Sequence, residues 1–250
     1  MSWDVTCLTV NHSSPLPLHY QLSQLLCAAI ASGDLKPGDC IPPETYIVEH
    51  LGISRATVRQ AISGLVNRGL LYRKKGKGTF VAAPKIDGGF FAKLESFHQE
   101  MLEKGLTPST RVLQWERIPP DGEINAVLEL PPDAPLLLLR RLRFANGMPV
   151  VQVDTYLSAQ LFGGLLEQDM EKNSLYQLLE SMYHRPVIRA RRSIEAVNAH
   201  PDEAKYLETE PGSALFLVKT VAYSSGSLPV EYSIARYRGD NNKFTIELTR

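Results

Sequence analysis

Two arginines four residues apart, Arg55 and Arg59, mark the part of the chain best suited to binding an anion. Positions i and i+4 are neighbours on a helix, and like charges there destabilise it by about 0.2–0.5 kcal/mol. Arg55 would also fall in the first helical turn, where the helix dipole disfavours a cation. Such a pair becomes favourable when an external anion neutralises it, and arginine can in addition hydrogen-bond guanine edges of duplex DNA.

The charges around this pair are one-sided, although the whole chain is balanced. The 250 residues carry 27 basic and 27 acidic side chains, so the formal net charge is zero. Residues 51–86 contain eight basic residues and no acidic one, whereas residues 1–50 and 87–250 each carry a net charge of −4. This positive segment is typical of a protein that binds a phosphate backbone. A solvated basic surface without a partner is the alternative interpretation.

The elements that position these cations can be predicted from local patterns. Apolar residues recur at helical spacing after Pro17, and "SGDLKPGD" ends this first helix. A second short helix begins at Glu44 and closes at Gly52, and Ser54 is a good N-cap for a third helix. The sequence "LLYRKKGKGTFV" then predicts a strand, a turn and a second strand. The segment is therefore predicted to be a helix-turn-helix followed by a basic two-stranded wing.

The third helix and the wing contain the candidate DNA-binding residues. The start of a helix offers N–H groups and a capping hydroxyl to phosphate. Glycines at the tip of the wing allow the backbone to approach a partner closely. The candidates are Ser54, Arg55, Thr57, Arg59, Gln60, Lys75, Lys77 and Gly78.

The remaining two-thirds of the chain alternates short strands and helices. The dipeptide Asn146-Gly147 between two β-rich segments is a strong hairpin signal. Ser174 is predicted to cap one helix, and Ser96 with Gln99 forms a capping-box pattern at the start of another. The predicted class is α/β, more narrowly α+β, with a mostly antiparallel sheet. The predicted domains are residues 14–83 and 93–248, joined by a linker over residues 84–92.

A second pair of arginines, Arg141 and Arg143, lies in "LLLLRRLRF" and would share one face of a strand. Two cations inside an apolar hairpin need an anion nearby. Glu231 and Tyr237 could provide it through internal ion pairs. A bound anionic ligand is the other interpretation, and the sequence leaves both open.

Residues 17–81 resemble the winged helix-turn-helix of GntR-type bacterial regulators. The resemblance is carried by "GDLKPG", "GISRATVRQ", "NRGLL" and "GKGTFV". It implies that residues of the third helix and the wing contact operator DNA, namely Ser54, Arg55, Thr57, Arg59 and Gly78. The chain has "IPPET" where the family usually has "LPSE", so Pro43 and Thr45 replace a capping serine and a frequent DNA contact.

Nearly all of residues 90–246 resemble the effector-binding UTRA domain of the HutC branch of that family. The matching segments include "LESFHQEMLEKGL", "LRRLRFANGMPVVQVDTYLS" and "LPVEYSIARYRGDNNKF". The resemblance implies a chorismate-lyase-like fold, a homodimer on a near-palindromic operator, and a small anionic effector such as an amino-sugar phosphate or a carboxylate. The implied pocket residues are Ser96, Phe97, His98, Arg141, Arg143, Ser174, Glu231 and Tyr237. His98 stands where we expect threonine in the sugar-phosphate sensors.

Other classes of protein receive little support from the sequence. No GxSxG, HExxH, Walker A or strand-placed GxGxxG motif is present, and no two histidines are spaced i, i+4 for a metal. We therefore expect no catalytic residue, metal or cofactor. Three cysteines without metal spacing and no apolar run near the ~18 residues of a membrane span predict a cytoplasmic protein. A chorismate-lyase-like enzyme and a DNA-binding protein without an effector remain as alternatives.

Overall fold

The computed structural model describes residues 9–74, 76–82, 85–88, 94 and 96–246. The chain forms two compact units, Met1–Ile86 and Asp87–Arg250. The division lies within the predicted linker, part of which is outside the described residues. No helix in the described ranges has both the length and the apolar character needed to cross a bilayer.

The first unit consists of helices followed by a hairpin, as predicted. Its elements are α1 (Leu18–Ser32), α2 (Glu44–Leu51), α3 (Arg55–Asn67), β1 (Leu71–Lys74) and β2 (Gly78–Val81). Gly52 ends α2 with a φ of +63°, a conformation that glycine adopts without strain. Ser54 caps α3, because its hydroxyl accepts a hydrogen bond from the Thr57 N–H at 3.1 Å.

The core of the first unit is made by the apolar stripes predicted for its helices. The fully buried side chains there include Leu22, Leu26, Ile47, Val58, Ile62 and Leu65. The wing is fixed to this core by Leu71 and Val81, which are buried opposite each other across the hairpin. The chain before α2 also joins the wing, since Gly38 N–H donates to Val81 O and Ile41 N–H to Thr79 O, both at 2.9 Å. The packing of α1 and α2 therefore determines where α3 and the wing lie.

The second unit is built on a six-stranded sheet. Its strands are β4 (Pro108–Ile118), β5 (Leu136–Ala145), β6 (Met148–Ser158), β7 (Arg189–Asn198), β8 (Ala214–Tyr223) and β9 (Pro229–Arg238). They lie in the order β4-β5-β6-β9-β8-β7, and all neighbouring strands are antiparallel. Its helices are α4 (Phe97–Glu103), α5 (Gly122–Val127), α6 (Ala159–Phe162), α7 (Leu175–Tyr183) and α8 (Pro201–Leu207). Short strands β3 (Ile86–Asp87) and β10 (Asn242–Lys243) complete the description. The predicted α+β fold with a mostly antiparallel sheet is confirmed.

The hairpin between β5 and β6 turns at Asn146 and Gly147, as predicted. Both residues have positive φ, at +50° and +75°, which matches the twist of the strands they connect. The resulting register sets Arg141 opposite Val153 and Arg140 opposite Asp154. Successive side chains point to opposite faces of a strand, so neighbouring arginines enter different environments.

Helices cover the two faces of the sheet differently. One face packs Leu137, Leu139 and Leu157 against α6, α7 and the turn between them. The opposite face packs Leu142 and Leu215 against α8. The remainder of the first face, beyond this apolar cluster, carries the polar side chains described below.

Two predicted helix caps differ from the structure. Ser96 accepts the Gln99 N–H, but the Gln99 side chain donates to Glu103 at 3.3 Å instead of returning to Ser96, so the capping box is half formed. Ser174 precedes α7 with suitable backbone angles, yet its hydroxyl makes no capping hydrogen bond. The prediction of a Ser174 side-chain cap was therefore wrong. Helix α6 and the 3-10 turn Gly163–Glu167 were not predicted.

Candidate nucleic-acid interface and ligand cavity

Helix α3 presents its cations on the face opposite the core. Val58, Ala61 and Ile62 are buried, whereas Arg55 and Arg59 are exposed. Neither arginine forms an ion pair with any residue that the structure describes. Their mutual repulsion is therefore uncompensated within the described part of the protein, as expected of a surface that meets an external anion.

The N-terminus of α3 brings together two hydroxyls and the first N–H groups of the helix. The Ser54 and Thr57 hydroxyls lie 2.8 Å apart, and the first N–H groups of a helix have no intrahelical acceptor. Gln60 is exposed one residue beyond Arg59. The five residues predicted on this helix and its cap thus lie together, and Thr57 is the only partly buried one among them.

The wing brings further cations beside a tight backbone turn. Lys74 and Lys77 are exposed, and Gly76 and Gly78 adopt φ of +70° and +120°. The backbone angle at Gly78 favours glycine, and a Cβ there would lie 3.0 Å from the Cys40 sulfur, so the Cys40 side chain would have to shift. Lys75, the remaining wing candidate, lies outside the described residues.

The second unit contains a cavity of about 510 Å³ over the polar part of its sheet. Strands β5, β6, β8 and β9 form its base, and α4 with the start of α7 forms its walls. The predicted effector-binding residues all line it: Ser96, Phe97, His98, Arg141, Arg143, Ser174, Glu231 and Tyr237. Ser174, whose hydroxyl makes no capping hydrogen bond, is one of these lining residues.

Two of the lining arginines, the buried Arg141 and the partly buried Arg143, have no counter-ion among the described residues. Arg141 is 4% exposed, and the Nε atoms of Arg141 and Arg143 are buried with no hydrogen-bond partner. Neither guanidinium forms an ion pair with a described residue, although Arg143 lies 5.2 Å from the centre of the Phe97 ring. Burial, followed by the neighbouring Arg143 charge, lowers the pKa of Arg141, and burial lowers the pKa of Arg143. Because arginine remains protonated, this arrangement attracts an anion.

Glu231 does not supply that anion within bonding distance. It is 5% exposed, and one of its carboxylate oxygens has no hydrogen-bond partner. Burial raises the pKa of Glu231, while the Arg141 charge and the hydroxyls of Tyr176 and Ser233 oppose this rise. Of the two interpretations left open by the sequence, internal ion pairing of these arginines is thus absent among the described residues.

On the opposite face of the same sheet, arginines form ion pairs with acidic side chains. Arg140 Nε lies 2.7 Å from Asp154 Oδ1, and Arg236 lies 3.6 Å from the other oxygen of Asp154. Arg236 also lies 2.5 Å from Glu203 of α8. The contrast between Arg140 and its neighbour Arg141 is the strongest structural evidence for a ligand in the cavity.

Several lining residues were missed by the sequence analysis. They are Glu100, Thr155, Tyr176, Arg192, Thr220 and Ser233. Ser233 could have been found from its spacing, because it is two residues from Glu231 on the same strand. The hydroxyl of Thr155 is buried without a hydrogen-bond partner. This residue could be identified only once the register of β6 against β9 was known. Within the described ranges no cluster of three or more potential ligands could hold a metal ion.

Comparison with known proteins agrees with the two units. Residues 18–81 match the family model "Bacterial regulatory proteins, gntR family", and residues 103–243 match the UTRA domain model. The chain is 34% identical over 243 residues to the HTH-type transcriptional repressor NagR of Bacillus subtilis (strain 168), covering 97% of this chain and 99% of NagR.

Two further similarities extend over most of the chain. The mannosyl-D-glycerate transport/metabolism system repressor MngR of Escherichia coli (strain K12) is 28% identical over 230 residues, covering 92% of this chain and 95% of MngR. The crystal structure of PhnF from Mycobacterium smegmatis is 28% identical with a TM-score of 0.64, covering 93% of this chain and 99% of PhnF. NagR and MngR are transcriptional repressors and the matched family is one of regulatory proteins, so the enzyme alternative is set aside. The chain belongs to the GntR family of bacterial transcriptional regulators, in the HutC branch that joins a helix-turn-helix domain to a UTRA domain.

Proposed function

We propose that this chain is a ligand-responsive transcriptional repressor that binds a near-palindromic operator as a homodimer. A small anionic metabolite bound in the cavity releases or shifts it from the operator. The observation that carries the DNA-binding part is the exposed pair Arg55 and Arg59 on a capped helix, unpaired by any described residue. The names of NagR and MngR as repressors support the direction of regulation.

On DNA, α3 would enter the major groove and the wing would follow the backbone. Arg55 and Arg59 suit guanine edges, whereas Lys77 suits phosphate, which every sequence presents. Two copies would place their α3 helices in successive major grooves about 34 Å apart. This spacing is the physical reason for expecting a near-palindromic operator.

In the cavity, Arg141 and Arg143 would hold a phosphate or carboxylate through charge-assisted hydrogen bonds. Glu231, with Tyr176 and Ser233 beside it, suits a hydroxyl or amine elsewhere on the ligand. An amino-sugar phosphate satisfies both requirements. A sugar carboxylate satisfies the first, and the name of MngR refers to mannosyl-D-glycerate, which carries such a group.

The DNA-binding proposal is tested by fluorescence anisotropy of the full chain with labelled duplex oligonucleotides over a salt series. Neutralisation of Z phosphates releases counter-ions, so the logarithm of the binding constant should fall linearly with log[salt], with a slope of about −0.9Z. Equal binding in dilute and concentrated salt would contradict the proposal. The charge of the surface would then have no role in binding.

The effector proposal is tested by thermal shift of the full chain with sugar phosphates, carboxylates and phosphonates. A true effector should raise the melting temperature of the wild-type protein and fail to do so for Arg141→Met. If no anionic compound gives an Arg141-dependent shift while DNA binding persists, the remaining alternative, a DNA-binding protein without an effector, is favoured.

A further inference from the structure

One arginine of the positive segment contacts other residues of the protein. Arg73, on β1 of the wing, donates through Nη2 to the Ser63 hydroxyl of α3 at 3.2 Å. The same nitrogen lies 3.6 Å from a carboxylate oxygen of Glu44, the first residue of α2. A single guanidinium therefore connects the wing to both helices of the helix-turn-helix.

Glu44 is an unexpected neighbour for a surface that binds a polyanion. A carboxylate beside the wing repels phosphate, so electrostatics alone predicts that its removal strengthens DNA binding. Its side chain is 25% exposed and that of Arg73 is 46% exposed, so the pair is only partly shielded from water. Arg55 and Arg59, by comparison, meet no described carboxylate.

The two strands of the wing are attached in different ways. β2 is held by backbone hydrogen bonds from the segment before α2, including Ile41 N–H to Thr79 O at 2.9 Å. β1 pairs with β2 and buries Leu71 in the core, and Arg73 supplies its polar side-chain attachment to α2 and α3. The exposed cations Lys74 and Lys77 follow Arg73 along the wing, so a change in its attachment would move them relative to α3.

We propose that Arg73 is a positioning residue, which with Glu44 and Ser63 holds the wing at the angle to α3 that DNA binding requires. This inference depends on the proposed DNA-binding function. It assigns Glu44 a favourable role in binding, although its charge has the wrong sign for a direct contact with phosphate.

The deciding variant is Glu44→Gln in the full chain, because positioning and simple electrostatics predict opposite results. We expect it to weaken binding by about two- to fivefold, the range that an exposed ion pair spans. The probe is a duplex that the wild-type protein selects from a random-sequence pool, measured by anisotropy. Unchanged or tighter binding of Glu44→Gln would overturn the proposal.

A double-mutant cycle separates the attachment from other effects of Glu44. Glu44 also lies in the first turn of α2, where an acidic side chain stabilises the helix by interacting with its dipole. If the attachment is responsible, Glu44→Gln should cause no further loss in an Arg73→Gln background. A loss of the same size in both backgrounds would assign the effect to α2 and reject the inference.

Salt dependence and a matched control complete the test. Glu44→Gln and Ser63→Ala should leave the salt slope unchanged, since neither removes a phosphate contact, and Arg73→Gln should do the same. A slope reduced by about one for Arg73→Gln would identify a direct phosphate contact and contradict the positioning role. Glu49→Gln removes an exposed acid of α2 outside the attachment and should bind at least as tightly as wild type.

Failure of this inference can be distinguished from failure of the proposed function. If the wild-type protein shows no salt-dependent binding to duplex DNA, the function itself is wrong. If the wild-type protein binds and Glu44→Gln binds equally well, only the role of Arg73 is wrong.

Discussion

Arg140 and Arg141 are adjacent in sequence but differ in their burial and in their ion pairing. Arg140 faces Asp154 at 2.7 Å, whereas Arg141 is 4% exposed and has no ion pair among the described residues. A buried charge without a partner is destabilising, and its replacement by an apolar side chain of similar shape is often stabilising. Under the proposed function, Arg141 would lower the stability of the unliganded protein and raise its affinity for an anion.

Substitution of these two residues by methionine should therefore have opposite effects. We expect Arg141→Met to raise the unfolding free energy by about 1–2 kcal/mol and to remove the response to anionic ligands. Arg140→Met should lower it by about 1–3 kcal/mol, less than loss of a fully buried pair, because Arg236 still faces Asp154. Calorimetric melting of both variants measures the change in unfolding free energy. If Arg141→Met destabilised as much as Arg140→Met, Arg141 would have an internal partner.

We expect Glu231 to make the stability of the second unit depend on pH. Burial raises its pKa above the ordinary value of 4.5, so the folded state holds this proton more tightly than the unfolded state. The resulting stabilisation is complete below about pH 4.5 and is lost as the pH rises through the raised pKa. Glu231→Gln resembles the protonated acid and should lose less stability over this range. Melting curves from acid to neutral pH test this, with the exposed Glu210→Gln as control.

Arg55 and Lys77 should contribute differently to DNA binding, although both are exposed cations of the same surface. Arg55→Ala should weaken operator binding by about 1–3 kcal/mol and relax specificity, because arginine reads base edges. Lys77→Ala should weaken operator and random DNA alike and reduce the salt slope by about one. Titration of each variant with operator DNA and with random DNA measures these losses of affinity. Equal losses from both substitutions on both DNAs would count against the assigned roles.

At the scale of elements, the wing depends on a backbone angle that few residues tolerate. Gly78 has a φ of +120°, and a Cβ there would meet the Cys40 sulfur at 3.0 Å. We expect Gly78→Ala to cost about 1–3 kcal/mol of stability in the first unit and to weaken DNA binding. Gly76→Ala is the control, since it has no atom within 4 Å and should cost less. Similar losses for both variants would show that the crowding at Cys40 is unimportant.

The helices and the hairpins of the chain were largely predictable because their signals are local. The apolar stripe of α3 and its Ser54 cap lie within one segment, as do the turn residues Asn146 and Gly147. Ser174 has the right backbone angles for a cap, but its hydroxyl makes no capping hydrogen bond and the residue lines the cavity. A tertiary environment thus overrode a local preference.

The environment of the cavity could be anticipated only in part. The two-residue repeat of a strand predicted that Arg141 and Arg143 share one face. The pairing of Arg140 with Asp154 could not be predicted, because it depends on the register of β5 against β6. The separation of Glu231 from Arg141 depends on the order of three strands, β5, β6 and β9. Sequence therefore indicated which residues could bind an anion, and the sheet determined which of them lack an internal partner.

At the scale of the whole molecule, the proposed regulator has one candidate binding surface in each unit. A ligand can change DNA affinity only if it binds more tightly to one state of the protein than to another. Arg141, which is buried and has no ion pair among the described residues, would provide an interaction that exists only when an anion is bound. Its free energy is available to favour one of these states.

Coupling between the two surfaces must be reciprocal, and this gives the last prediction. If an anionic effector lowers operator affinity by a factor α, operator DNA must lower effector affinity by the same factor. We expect a coupling of about 1–3 kcal/mol, measured as DNA affinity with and without effector and as effector affinity with and without DNA. In Arg141→Met the effector dependence should vanish while the affinity for the operator stays that of the unliganded wild-type protein. An effector that binds the cavity tightly and leaves operator affinity unchanged would show that the two surfaces are uncoupled.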